Sequence, residues 1–160
     1  MIDIQTLTLL PQDQLMLAST AESRALHRYR RLALSFLTYS TALSRQMAEL
    51  GIACEQRLET LREAANDLGL GACVDGPEHP RARPTLVDSR GSFFIVDGEL
   101  IDQALQQALA ASLETHRLAR RLLGANGTPE LERPLRDYTY HKQLESGVLM
   151  HCYAAHQQLS

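Results

Sequence analysis

Apolar residues recur every three or four positions through four long stretches of the chain, the spacing of an α-helix with one buried face. The first stretch follows Pro11, a residue suited to a helix start, and turns Leu15, Ala18, Glu22, Ala25, Tyr29, Leu32 and Phe36 to one side. A polar cluster from Thr38 to Thr41 offers a turn. The second stretch places Leu43, Met47, Leu50, Cys54, Leu58, Leu61, Ala65 and Leu68 on one face and stops at Gly69.

Residues 70–96 break the pattern. They hold Gly71, Gly76, Pro77, Pro80, Pro84 and Gly91 and keep no helical period; the apolar run Phe93 to Val96 is expected to pack on the helices, with an edge strand as the alternative. Asp97 is a good N-cap for a third helix, read inward through Leu100, Ala104, Ala111, Glu114 and Leu118 to Gly124. After Ala125-Asn126-Gly127, Thr128-Pro129 opens a fourth, read inward through Leu131, Leu135, Tyr138, His141, Leu144 and Val148, with Pro134 near its first turns.

The four lengths are similar, roughly 25 to 30 residues, or about 40 Å at 1.5 Å per residue. The order of connections is short, long, short. A chain of this length supports one domain over residues 1–160: an all-α bundle of two antiparallel hairpins joined by a crossover at about residues 70–96. An alternative stands for residues 20–50. Leu26, Tyr29, Ala33, Phe36, Leu43, Met47 and Leu50 form a seam that one helix could also follow, with Ser19 to Glu22 as its capping box.

Composition narrows the class. Of 160 residues only five are Tyr and three Phe, Trp is absent, and Leu and Ala supply most of the apolar share, which suits packed helices. The formal charge of -3 and the absence of a dense basic patch speak against a nucleic-acid surface. Cys54, Cys73 and Cys152 have unrelated spacings and make neither a disulfide framework nor a zinc signature. No run approaches the roughly 20 apolar residues of a membrane span, and the first ten residues do not read as a signal peptide. A cytoplasmic location is expected.

A two-metal carboxylate bundle takes one Glu from each of two helices and Glu-x-x-His from each of the other two. Glu22-Ser23-Arg24-Ala25, followed by Tyr29 and Ala33, resembles the first-helix signature of rubrerythrin-type proteins in the ferritin-like superfamily. Met47 to Cys54 is similar to that family's second helix, with Gly51 in the place of the bridging Glu and Cys54 in that of the His. Glu114 matches the lone Glu of the third helix, and Tyr138-Thr139-Tyr140-His141 stands in the place of Glu-x-x-His, keeping only the His. The resemblance implies a ferritin-like four-helix bundle with a degenerate di-iron site, and it leans toward a homodimer.

A count of helix positions places Glu22, Cys54, Glu114 and His141 at one depth, within about one turn. Two Glu and one His, with Cys54 as a soft fourth donor, suit a single Fe, Mn or Zn ion. They do not suit two ions, because the bridging carboxylates that offset the ions' mutual repulsion are missing. Bland readings stand beside these. Cys54 reads as a small core residue, His141 as a core histidine, Glu114 as a solvated charge and Tyr138 as packing. Gly51 implies close helix approach or a kink.

Three functions remain open. One is a non-ferroxidase binding or assembly module with no cofactor and no catalytic residues. Another is a one-metal protein using Glu22, Glu114 and His141. The third is a small-molecule pocket lined by Tyr29, Gly51 and Tyr138. Neither a substrate nor a protein partner is readable.

Overall fold

The computed structural model describes residues 9–74 and 98–159. Its helices are α1 (Pro11–Phe36), α2 (Thr41–Asp67), α3 (Gly98–Gly124) and α4 (Pro129–Leu159), with a short 3-10 turn at Gly71–Cys73. They form an all-α four-helix bundle of two hairpins. Residues 20–50 are therefore two helices, and Glu22 lies in the middle of α1 rather than in a capping first turn.

Local chemistry sets the boundaries. Pro11 occupies the first turn of α1, where its missing N–H costs nothing. Ser40 caps α2 by accepting the Leu43 N–H at 3.2 Å. At the other end of α2, Gly69 adopts φ 71°, a conformation that glycine reaches without a Cβ clash. This lets the Leu70 N–H return to the Ala65 carbonyl at 2.7 Å and closes the helix. Asn126 shapes the α3–α4 turn by accepting the Thr128 N–H at 3.0 Å, and Pro129 then begins α4. Pro134, the sixth residue of α4, removes the N–H that would bond the Glu130 carbonyl, and the helix continues past that one missing bond.

α1 packs on α2 and α3, and α4 packs on α3 and α2, so α1 and α4 face each other across the diagonal. Gln14 near the start of α1 donates to the Leu122 carbonyl near the end of α3 at 2.8 Å. At the opposite end, the Tyr39 hydroxyl of the α1–α2 turn lies beside Gly98, the first residue of α3. Leu70 and Val74 pack with the first end, against a core that includes Leu15 and Leu131. The connection between Val74 and Gly98 thus leaves one end of the bundle and returns at the other, as a crossover must. The expectations for Phe93 to Val96 and for Asp97 as a cap lie outside the described residues.

Two apolar clusters fill the interior. One joins Leu15, Ala18, Leu61, Ala65, Ala119, Leu122, Leu131, Leu135 and Tyr138. The other joins Ala25, Leu26, Tyr29, Leu32, Phe36, Met47, Leu50, Cys54, Ile101, Leu105, Ala108 and Leu149. The inward faces read for α1 and α2 are the buried ones. Those read for α3 and α4 need correction. α3 buries Ile101, Leu105, Ala108, Ser112, Ala119 and Leu122, one or two positions round from the expected set. Through its middle α4 buries Lys142 and Glu145 and exposes His141 and Leu144. Both helices carry apolar residues on adjacent stripes, so periodicity alone does not choose between them. Among the described residues no helix is long and apolar enough to cross a membrane.

A buried ion-paired layer as candidate functional site

Between the two apolar clusters every helix contributes a polar residue at the same depth. α1 supplies Glu22, α2 supplies Cys54 and Arg57, α3 supplies Ser112, and α4 supplies Lys142, Glu145 and Ser146. On α2 and on α4 the two central groups are three residues apart, which sets them on one helix face.

Glu22 and Lys142 are fully buried, Glu145 is 2 % exposed at its side chain, and Arg57 is 11 % exposed. The Lys142 ammonium lies 3.1 Å from Glu22 Oε2 and 3.0 Å from Glu145 Oε2. The Arg57 guanidinium donates from Nε to Glu22 Oε1 at 2.5 Å and from Nη2 to Glu145 Oε1 at 2.8 Å. Each carboxylate therefore holds both cations, and two negative charges meet two positive ones.

Hydroxyls complete the layer. Ser112 donates to Glu145 Oε2 at 2.9 Å, and its oxygen is 2.9 Å from that of Ser146. The Cys54 sulfur lies 3.3 Å from Arg57 Nη2 and 3.9 Å from Glu145 Oε1. Tyr29 and Tyr138 close the layer from the two clusters. Their buried hydroxyls have no aligned hydrogen-bond partner among the described residues. Each nonetheless senses a carboxylate, Tyr29 that of Glu145 and Tyr138 that of Glu22.

The electrostatics follow from burial and pairing. Burial alone would raise the Glu145 pKa, but Lys142 and Arg57, with a hydrogen bond from Lys142, hold it below the ordinary value. Burial also works against the Arg57 charge, and the Glu22 and Glu145 carboxylates more than offset it. The Cys54 thiol is pushed well up, first by burial and then by Glu22, so it stays protonated. Tyr29 and Tyr138 are raised by burial and then by their carboxylate neighbours.

Of the residues expected to form a site, Glu22 and Cys54 are in the layer. Glu114 and His141 are not: both are exposed, and Ser112 and Lys142 take the inward positions near them. Gly51 is buried at the α1–α2 contact, where an added Cβ would stand 3.7 Å from Tyr29 Cβ and 3.8 Å from Leu26 Cδ1. It serves close helix approach. It does not leave the space of a carboxylate facing the centre. Arg57, Lys142 and Glu145 carry no apolar signal and so escape a reading by hydrophobic period. The signal that could have found them is two i,i+3 pairs, Cys54/Arg57 and Lys142/Glu145, at the depth of Glu22.

Oxygen and sulfur atoms of Glu22, Cys54 and Glu145 lie within 4.8 Å of one another, and the three side chains could together hold one metal ion. The surrounding charges oppose it. A divalent ion about 4 Å from a single positive charge is repelled by about 8 kcal/mol at an effective dielectric of about 20, and Lys142 and Arg57 both hold this ground. The donor set does not fit two ions at all: it has two carboxylates, one protonated thiol and no histidine.

No protein-family model, curated protein or solved structure matches the chain.

Proposed function

We propose that the chain is a ferritin-like bundle in which an ion-paired polar layer stands where a carboxylate metal centre would be, and that it works as a binding or assembly module. The observation that carries this reading is Lys142, whose ammonium sits about equally far from Glu22 and Glu145. Two fixed cations in the protein's own sequence do there what bound metal ions do in a carboxylate bundle: they neutralise inward-facing carboxylates. Two-metal oxidation chemistry is disfavoured for the same reason. The crossover topology and the central depth of Glu22 support the ferritin-like part.

The reading is tested by titrating Zn(II), Mn(II) and Fe(II) into the full chain under anaerobic conditions. The expected result is no saturable heat of binding from the wild type. Saturation at two ions per chain would end the proposal.

A second reading has its own support in the nearness of Glu22, Cys54 and Glu145. One ion of Fe, Mn or Zn there would require Lys142 to withdraw or lose its proton and Cys54 to ionise. Binding would then release protons and tighten as pH rises. Saturation at one ion, lost in Cys54→Ala, would favour this second reading over the first.

A further inference from the structure

After Asp137, α4 carries only two formally charged residues, Lys142 and Glu145, and both are buried. Its outward face over the next five turns therefore has no Asp, Glu, Lys or Arg. Tyr140 is 57 % exposed, Leu144 49 % and Met150 53 %, with Gly147, His151 and Ala154 exposed among them. α2, by contrast, shows solvent Arg45, Glu49, Glu55, Glu59, Arg62 and Glu63. The exposed residues of α4 at 140, 144, 147, 151 and 154 follow spacings of four and three, the repeat of a helix–helix seam. α4 thus has two such seams, one used inside the bundle and one pointing out.

We infer that this outer seam pairs with a second copy of the chain, α4 against α4, antiparallel about a two-fold axis at Gly147. The face is self-complementary under that operation. Tyr140 and Ala154 lie seven residues either side of Gly147, large opposite small. Leu144 and Met150 lie three either side, apolar opposite apolar. Gln143 and His151 lie four either side, and both can hydrogen-bond. In an isologous contact such pairs meet twice. Gly147 at the axis has no atom within 4 Å of where its Cβ would be, so a partner helix can approach closely there.

The surface extends beyond α4. Two adjoining depressions share Gln46 and His151; the second runs on past Leu43 and Ala42 of α2 and Tyr39 of the α1–α2 turn, with Glu99 and Asp102 of α3 at its edge. About 25 Å of helix by the width of two helices, about 20 Å, is a flat footprint of roughly 500 Å². Counted over both copies that is about 1,000 Å², the size at which a specific interface begins. The inference gives the assembly reading its partner and rests on that reading, not on the metal content of the polar layer. Metal titration and the mass measurement below can fail separately.

The test uses the full chain in analytical ultracentrifugation across a concentration series. The wild type is expected at twice the 17.8 kDa chain mass. Gly147→Glu sets two like charges face to face at the axis and should weaken association by about a hundredfold or more. It should keep its helical circular dichroism, because the site is open and Glu is a better helix former than Gly. Facing Cα atoms in a close helix pair come within about 4 to 6 Å, so Gly147→Cys should form an intermolecular disulfide on mild oxidation. Tyr140→Cys, about 20 Å from its copy in the antiparallel dimer, should link no more than the wild type. A monomeric wild type would overturn the inference. So would a dimer indifferent to Gly147→Glu, or equal cross-linking at both cysteines.

Discussion

The charged atoms of Lys142 and Glu22 are 3.1 Å apart, both side chains are fully buried, and their helices face each other across the diagonal of the bundle. The pair ties together two helices that have little other contact. It also makes each residue dependent on the other, because a buried charge without its partner is far more costly than no charge at all.

Lys142→Met should therefore lower unfolding free energy by about 3 to 5 kcal/mol. Glu22→Gln in the same chain removes the carboxylate left in excess, so the double variant should be more stable than the two single losses add up to. Urea denaturation of the four proteins gives the coupling energy, and strict additivity would contradict the ion-paired layer.

Acid should unfold the protein partly through Glu145. Its folded pKa lies below the ordinary value of 4.5, so between the two pKa values the unfolded state binds more protons. The stability Glu145 contributes is complete above about pH 4.5 and is lost as pH falls through the folded value. In Glu145→Gln the stability profile should be flatter below pH 4.5. Melting temperatures from pH 3 to 7 check this.

Cys54 has the opposite sign. Its folded pKa is raised above the ordinary 9.0, so its contribution is complete below that pH and declines as the unfolded thiol ionises above it. The thiol should also be inert in the folded protein, whereas Cys152 is only half-buried. Mass spectrometry after mild alkylation should find Cys152 modified well before Cys54, and Cys54 at the rate of unfolding.

Helices α1 and α2 were legible because a single stripe of Leu, Ala, Tyr, Phe and Met marks each. Glu22 and Cys54 lie on those stripes and so were legible with them. α3 and α4 were legible as helices but not as faces. In α3, Leu100 and Ala104 rival Ile101 and Leu105. In α4 the buried central residues are Lys142 and Glu145, which hydrophobicity assigns to solvent, while His141 and Leu144 beside them look like a ligand and a core residue. Depth along each helix survived this error, since a rotation about the helix axis leaves it unchanged. Partners decide which charges are buried, and partners come from three other helices.

Glu114→Ala and His141→Ala follow as a contrast. Both side chains are exposed, and each variant should stay within about 0.5 kcal/mol of the wild type. Gly51→Ala should be neutral or stabilising by up to about 1 kcal/mol, because the new methyl meets Tyr29 and Leu26 at ordinary contact distance and helix propensity improves. Chemical denaturation separates these small effects from the large one at Lys142. A severe loss in Glu114→Ala would contradict the register of α3.

The central claim is that Arg57 and Lys142 neutralise the buried carboxylates without help from a metal. Elemental analysis of freshly purified full-length protein, expressed with ample iron, manganese and zinc, tests it most directly. The account predicts well under one metal atom per chain. Two iron atoms per chain, or one stoichiometric ion lost in Glu145→Gln, would contradict it.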